Sequence, residues 1–376
     1  MNFEFSEEQT ALSELAEQIF DGVVDADRVA QIESTSDRFD RDLWIELAKA
    51  GLLGVAISED NGGLGFGIVE AALVVQQQGR VVAPIPLWST IAAARSIEAV
   101  GSDQQVQRWL PGVCDGSTVI ALCLAEYGAN DPHVSSVVAT HNGDRWTLTG
   151  SKPVVAAAGV ANAFVVPAQT EQGLAVFVVD ANTDGLEVVL GETTNRELHG
   201  ELTFNITVDE DALLGQITDG VALVDGLVET ALILQAAISL GCCEAALEMA
   251  ATYTSEREQF GRPLSTNQGV VLRAASCYID IECMRVTLQK AAWLLDEGLP
   301  ATDAVKVARY WATEGAQEVV HNTQHLHGGM GADVDYPVHR TFLWVKQLET
   351  AMGGGSRHLS ELGASIAEAA KQTSNA

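Results

Sequence analysis

The sequence predicts an α+β fold in three consecutive parts: a helical N-terminal domain, a middle antiparallel β domain and a C-terminal four-helix bundle. Apolar residues recur at helical spacing up to about residue 110. Short β-branched runs separated by Gly, Asn and Asp fill the middle of the chain. Long Ala- and Leu-rich helical stretches follow after Gly215. These changes predict domains at residues 1–115, 116–215 and 216–376.

The N-terminal part contains four stretches with helical periodicity, at 6–29, 40–52, 68–80 and 86–110. Ser6, followed by Glu8 and Gln9, is a suitable N-cap for the first of them. The glycine-rich segment 58–67 resembles a dinucleotide-binding loop only superficially, because it lacks the GxGxxG spacing and follows no strand. We therefore interpret it as a turn between helices.

The rest of the chain changes from strands to helices. Predicted strands lie at 118–126, 145–155, 161–169, 174–180, 186–190 and 201–208. Predicted helices lie at 219–252, 267–296, 301–324 and 340–369.

Composition excludes several classes of function. A net charge of −30 argues against binding to nucleic acid, which requires clustered cations. No continuous apolar run has the roughly 18 residues of a membrane span, and the acidic N-terminus is unlike a leader peptide. The six cysteines form no CxxC pair, which favours buried thiols over a zinc site. We expect a cytoplasmic protein without metal.

The segment YTSEREQFGRPLSTNQ at 253–268 carries the strongest chemical signal. Arg257 and Arg262 flank Phe260 just after a helical run. A guanidinium beside an aromatic ring suits a ligand with a pyrophosphate and a flat base, because Arg bonds phosphate oxygens in pairs and the ring can stack. A helix end with an exposed Arg is the alternative for this segment alone.

A second segment, HGGMGADVDYP at 327–337, makes the pattern specific. With REQFGRPL after the first long C-terminal helix and HGGMG after the third, the chain resembles the acyl-CoA dehydrogenases over essentially its whole length. The resemblance implies FAD as cofactor, an acyl-CoA substrate, tetrameric assembly and electron-transfer flavoprotein as electron acceptor. It also implies α,β-dehydrogenation, in which a carboxylate removes the α-proton and the β-hydride goes to the flavin.

The resemblance also assigns cofactor contacts. Arg257, Gln259 and Phe260 are expected at the pyrophosphate and adenine end of FAD bound to a neighbouring subunit. Gly328 and Gly329 match the paired glycines that let the backbone approach the same cofactor. His325 stands where the family usually has Gln and can still donate a hydrogen bond. For the three histidines at 321, 325 and 327, packing at a helix end remains an equal alternative.

The catalytic residues of the family are missing, so we predict none in this chain. The usual Glu position is occupied by Met352, and the alternative position, on the first C-terminal helix, by Ala231. The nearest carboxylates are Glu349 and Glu229. Glu349 is displaced by three residues, about 60° and about 4.5 Å on a helix, and Glu229 faces another side of its helix.

The flavin-contacting segments of the β domain also depart from the family. CLAEYGAND and KPVVAAAG stand in their place, so Val154, Val155 and Ala156 offer neither an indole nor a hydroxyl group. Glu126 remains, and we interpret it as a solvated carboxylate at a strand end. The adenine-end motif is therefore retained while the flavin-ring and base positions are lost.

This pattern is similar to the non-catalytic β subunit of actinobacterial α2β2 acyl-CoA dehydrogenases that act on steroid side chains. RFDRDLWIELAKAGLL at 38–53 and the stretch at 327–355 carry that closer resemblance. It implies a catalytic α subunit as partner and a place in the β-oxidation of cholesterol-like lipids. Two alternatives remain open: a self-sufficient homotetramer that uses Glu349 or Glu229 as its base, and a cofactor-free scaffold subunit.

Overall fold

The computed structural model describes residues 3–128, 131–351 and 353–374. The chain forms two compact units, each built from separate stretches of sequence. One unit comprises Met1–Ala26, Ala72–Ala83 and Leu232–Ala376, and the other comprises Asp27–Ala71 and Pro84–Ala231. The boundaries predicted at residues 115 and 215 follow secondary structure and remain a prediction.

Six helices form before the first strand: α1 (Glu7–Val23), α2 (Ala26–Glu33), α3 (Arg41–Lys49), α4 (Ile68–Val81), α5 (Leu87–Val100) and α6 (Asp103–Asp115). The Ser6 side chain caps α1 and forms a capping box with Gln9, as its sequence position predicts. The helix predicted at 86–110 is divided, because Ser102 starts a second capping box with Gln105. The helix predicted at 6–29 is likewise divided, since Val24 is extended.

The segment 58–67 is a turn between α3 and α4, with one short 3₁₀ turn at Glu59–Asn61. Gly63 shows why glycine is needed there. A Cβ at Gly63 would lie 2.2 Å from the Ile57 carbonyl oxygen and 2.5 Å from that of Gly54. The Gly63 backbone therefore packs directly on two carbonyl oxygens, which leaves no room for a side chain at this position.

The middle of the chain forms an eight-stranded sheet from β1 (Ile120–Leu122), β2 (Val138–Asn142), β3 (Arg145–Ala156), β4 (Ala163–Thr170), β5 (Gly173–Asp180), β6 (Leu186–Glu192), β7 (Leu198–Asp209) and β8 (Leu213–Leu214). The strand order is β6-β7-β3-β2-β4-β5-β8, with β1 beside β4. The sheet is mixed rather than purely antiparallel, because β4 pairs in parallel with β1 and β2. The core contains inward-facing residues such as Trp146, Phe164, Phe177 and Phe204.

The C-terminal region contains α7 (Gly220–Glu256), α8 (Gln268–Asp296), α9 (Thr302–Tyr310), α10 (Ala316–Leu326), α11 (Val338–Thr350) and α12 (Gly355–Ser374). A π-turn at Trp311–Gly315 joins α9 to α10, so the helix predicted at 301–324 is continuous with a local widening. The helix predicted at 340–369 is broken, because three consecutive glycines follow Met352 and Gly353 has a φ of +97°.

One stretch among the described residues, Ile217–Glu256, is long and apolar enough to cross a membrane by length and composition. Its most apolar window is 56% buried within the fold. Core helices of soluble proteins meet the same criterion, and the burial of this stretch is typical of them.

Candidate functional site

A small hairpin follows α7 and carries the first motif. Its strands are β9 (Glu258–Gln259) and β10 (Arg262–Pro263), and Phe260 and Gly261 form the two-residue turn. Both turn residues have positive φ, 57° and 77°, which is the backbone of a type I′ turn. The Phe260 side chain is 100% exposed. Neither backbone preference nor burial within the described chain explains a phenylalanine at this position.

Arg257 stands at the base of this hairpin with its backbone fixed. Its N–H donates to the Tyr253 carbonyl at 2.8 Å, and its own carbonyl accepts from Leu264 at 2.9 Å. The exposed guanidinium makes no hydrogen bond or ion pair within the described parts of the chain, although Glu256 and Glu258 flank it in sequence. Its five donors therefore face solvent.

The second motif forms an open turn at the end of α10. Gly328 has a φ of 59°, and a Cβ at Gly328 or Gly329 would have no heavy atom within 4 Å. The turn is held from below, because the Gln324 side chain donates to the Gly331 carbonyl at 2.8 Å. His325 is exposed beside it. The paired glycines thus leave their backbone accessible to a ligand.

An aromatic cluster joins the two motifs. The His327 ring lies 4.9 Å from the Tyr253 ring and 5.1 Å from the Tyr336 ring. His327 is buried, its Nδ1 bonds the Thr323 carbonyl at 2.7 Å, and burial lowers its pKa. Tyr253 lies one helical turn before Arg257. The predicted cofactor residues therefore fall on two neighbouring segments of one unit: Arg257, Gln259 and Phe260 on the hairpin, and His325, Gly328 and Gly329 at the turn.

Several polar side chains in and near these motifs also form hydrogen bonds within the chain. Arg262 donates to Asn267 at 2.8 Å, and the Gln259 amide donates to the Glu258 carbonyl at 2.7 Å. His321 bonds the Gln317 carbonyl at 2.8 Å and packs on Phe342. No cluster of three metal-ligating side chains occurs among the described residues.

Only one of the two positions at which the family carries its catalytic base lies among the described residues. Ala231 is fully buried in α7. Met352 lies outside the described residues. Glu349 forms an ion pair with Lys346, whose ammonium also donates to Gln317 at 3.2 Å. An ammonium group on its oxygen competes with any substrate proton, so Glu349 is poorly prepared to act as a base.

The interpretation of Glu126 as a solvated carboxylate is wrong. Its side chain is only 5% exposed and is paired with Lys152, which is 1% exposed. Glu126 also accepts from the Ser136 backbone at 3.1 Å and the Ser136 hydroxyl at 2.6 Å. Sequence alone missed this pair, because Lys152 occupies an inward position of β3 that alternation assigns to an apolar residue.

The segment after Lys152 has few polar side-chain groups that could bind a ligand. A register shift separates Lys152 from Val155, and Val154 is exposed while Val155 is buried. The cavity against Ala156 and Ala157 has a volume of about 30 Å³ and is lined mainly by apolar residues, among them Phe39, Pro86 and Trp88. This surface offers no side-chain donor to a flavin ring from Val154, Val155 or Ala156.

Family models cover most of the chain. Residues 6–117 match the N-terminal domain of acyl-CoA dehydrogenases, and residues 218–367 match their C-terminal domain. The chain belongs to the acyl-CoA dehydrogenase family. Members of this family are flavoprotein oxidoreductases that act on CH–CH bonds, with FAD as the cofactor.

Several individual proteins are similar to this chain over nearly its full length. Acyl-CoA dehydrogenase FadE27 of Mycobacterium tuberculosis is 36% identical over 98% of this chain and 99% of its own length. A chain of the Tcur3481-Tcur3483 steroid acyl-CoA dehydrogenase, a G363A variant, is 43% identical with a TM-score of 0.92, covering 97% and 99% of the two chains. A chain of the ChsE4-ChsE5 complex from Mycobacterium tuberculosis is 36% identical, also with a TM-score of 0.92, covering 98% and 99%.

Proposed function

We propose that this chain is the non-catalytic subunit of an α2β2 acyl-CoA dehydrogenase and donates the adenine and pyrophosphate side of the FAD site to a catalytic partner subunit. The complex would act on an acyl-CoA thioester at its Cα–Cβ bond. This chain would hold one end of the cofactor without abstracting a proton.

The main support for this proposal is that Phe260 and Arg257 are both exposed on the same hairpin. Phe260 occupies a left-handed position at a fully exposed hairpin tip, where asparagine or glycine is favoured. Arg257 keeps five solvated donors without a partner among the described residues, in a full chain whose net charge is −30. The left-handed, exposed Phe260 lowers the stability of the isolated chain, whereas the hydrated Arg257 guanidinium has no such cost and is available to a ligand. A base that stacks on Phe260 would offset the cost at that residue, and a pyrophosphate would bind Arg257.

The chain fits one side of FAD and not the other. The hairpin and the open backbone at Gly328 and Gly329 suit the dinucleotide end. On the β domain, Val154 and Ala156 have no polar side-chain atom for the ring system. Bound FAD supplies the hydride acceptor of the reaction, so ring contacts and the base must come from the partner.

The loss of the base supports the same division. Ala231 and Met352 cannot accept a proton, and Glu349 is already paired with Lys346. Structures with near-complete coverage of this chain carry two component names, ChsE4-ChsE5 and Tcur3481-Tcur3483. Those names support a two-component assembly here as well.

The proposed substrate and metabolic process rest on the similarity to the same solved structures. The relative with 43% identity is titled a steroid acyl-CoA dehydrogenase. We propose a steroid side-chain CoA ester as substrate, in the β-oxidation of cholesterol-like lipids. Electron-transfer flavoprotein would reoxidise the cofactor, and the complex would act in the cytoplasm.

The decisive experiment counts flavins. The chain is purified alone and after co-expression with a candidate catalytic subunit, an acyl-CoA dehydrogenase that carries an intact Glu at the base position. We expect colourless, inactive protein alone, and two FAD per four chains in the active complex. Arg257→Ala should lower FAD retention in the complex, while Arg95→Ala, an exchange of the same size elsewhere, should not.

Other outcomes identify the alternatives. Four flavins per four chains, or a yellow and active chain alone, would indicate a self-sufficient homotetramer. Glu349→Gln and Glu229→Gln would then show which residue is the base, because a true base loses orders of magnitude in turnover. Unchanged FAD occupancy in the Arg257→Ala complex would indicate a scaffold without a role in cofactor binding.

A further inference from the structure

Arg309 on α9 is fully buried, and only part of its guanidinium is hydrogen-bonded. Its Nη2 donates to the carbonyls of Leu348 and Ala351 at the end of α11, the second at 2.7 Å. Nε and Nη1 have no hydrogen-bond partner among the described residues. Burial lowers the pKa of Arg309 to about 10, so the group stays charged near neutral pH. A full positive charge and several N–H donors are therefore buried together.

The carboxylates around Arg309 do not balance this charge. Glu349 is the acid whose charge acts on it, and Glu349 is already paired with Lys346. Glu314 lies on the π-turn against the start of α12, where its Oε1 would be 2.6 Å from a Cβ at Gly355. In the described ranges neither acid forms a hydrogen bond with Nε or Nη1. Because a buried charge without a counter-charge is costly, the arrangement indicates a negative group from outside the chain.

The start of α12 adds positive potential at the same place. The guanidinium lies between the end of α11 and the first turn of α12, because it bonds Ala351 and its charge acts on His358, the fourth residue of α12. The first N–H groups of a helix have no acceptor within it, and they carry a partial positive charge. The carbonyls at the end of α11 offset part of the Arg309 charge. The start of α12 opposes that effect and attracts an anion.

His358 provides a further donor without a further charge. Its side chain is 3% exposed, and neither ring nitrogen has a hydrogen-bond partner among the residues that the structure describes. Its Nδ1 lies 4.0 Å from an oxygen of Glu361, which is paired with Arg357. Burial, aided by Arg309, lowers the pKa of His358 to about 4, so the ring is neutral near pH 7. A neutral imidazole still has one N–H to donate.

The number of donors and the space beside them favour a small anion. A Cβ at Gly354 would meet a single heavy atom within 4 Å, the Glu349 carbonyl oxygen at 3.9 Å, so the turn leaves space there. Phosphate carries up to two charges on four oxygens and would need more donors than Arg309 and His358 have available. A monovalent ion of one atom needs the fewest donors and no fixed orientation of them.

We propose that Arg309, His358 and the first turn of α12 form a buried site for a small monovalent anion of the halide class, with chloride as the natural occupant. The anion neutralises Arg309 and fixes the turn between α11 and α12. The site shares no residue with the cofactor-binding hairpin or the turn after α10. It therefore stands whether or not the proposed division of the FAD site holds.

The test compares unfolding temperatures of the full-length chain, alone and in the complex, in potassium gluconate, chloride and bromide at equal ionic strength. Chloride and bromide should raise the unfolding temperature by about 2 °C or more over gluconate and reach saturation, because a ligand that binds only the folded state stabilises it. Arg309→Met should abolish this rise, and Arg309→Lys should keep part of it. Arg285→Met is the matched control, since Arg285 is paired with Glu244 at 2.7 Å and Glu282 at 3.1 Å. It should retain the full response to chloride.

Bromide in crystals locates the anion by its anomalous scattering, which should place it within hydrogen-bond distance of Arg309 Nε or Nη1. If Arg309→Met does not fold, His358→Phe serves instead and should weaken the response to chloride. Equal unfolding temperatures in all three salts overturn the proposal, as does a rise that never saturates or a bromide site elsewhere. A response to phosphate alone overturns the assignment to the halide class. Loss of the chloride response in Glu314→Gln would also overturn it, because that exchange removes a negative charge and should leave the response intact or strengthen it.

Discussion

The His327 ring lies on the Tyr253 ring at a centroid distance of 4.9 Å and an interplanar angle of 31°. This contact joins the end of α7, which leads into Arg257, to the turn that carries Gly328 and Gly329. Because the stack is the link between the two motifs, it should fix how far apart their cofactor contacts lie.

Exchanges at His327 should therefore affect cofactor retention through the position of the motifs. His327→Phe keeps a ring against Tyr253 and should retain most FAD in the complex. His327→Ala removes the ring and should weaken FAD binding by about fivefold, since a lost aromatic contact is worth about 1 kcal/mol. FAD dissociation constants of both variant complexes provide the measurement. If both variants lower the unfolding free energy equally and neither changes the FAD affinity, the role of His327 is limited to packing.

Phe260 should show opposite effects on stability and on cofactor binding. Asparagine tolerates the left-handed turn better, so Phe260→Asn should raise the unfolding free energy of the isolated chain by about 1 kcal/mol or leave it unchanged. The same variant should lose FAD from the complex, because asparagine cannot stack on adenine. Urea unfolding and flavin absorbance measure the two effects. A variant complex with full FAD occupancy would contradict the role given to the ring.

The buried pair Glu126–Lys152 should be sensitive to the loss of one partner. Lys152→Met leaves the Glu126 carboxylate buried with only Ser136 as a donor, which should cost about 3–5 kcal/mol. The double variant Lys152→Met with Glu126→Gln removes both charges and should recover a large part of that loss. Denaturant unfolding of the single and double variants tests this. Additive losses would show that the two side chains do not interact.

His358 should make stability depend on pH. Burial, aided by the nearby Arg309, lowers the pKa of His358 to about 4. The unfolded chain takes up this proton near pH 6.5 and the folded chain does not, so stability is complete above pH 6.5 and falls as the pH drops towards 4. The loss is on the order of 3 kcal/mol. His358→Phe should flatten this part of the curve of unfolding free energy against pH, and a curve parallel to that of the unaltered chain would refute the assignment.

Periodicity and local motifs predicted the order of helical, β and helical regions, because these signals depend on residues close together in sequence. The Ser6 cap, the turn at 58–67 and six of the strands follow from such signals. Hydrophobic periodicity is less able to locate the points at which one helix ends and the next begins. The division at Ser102 needs its capping box, and the break after α11 depends on glycines in a segment whose neighbours remain helical.

The sequence by itself determined the family and the absence of an acid at the two expected base positions, because both depend only on which residue stands where. Tertiary structure alone decided that Glu126 is buried against Lys152, that Phe260 is fully exposed, that Tyr253 meets His327, and that the Arg309 guanidinium is fully buried. Burial and partner choice depend on residues far apart in the chain, and only folding brings those residues together.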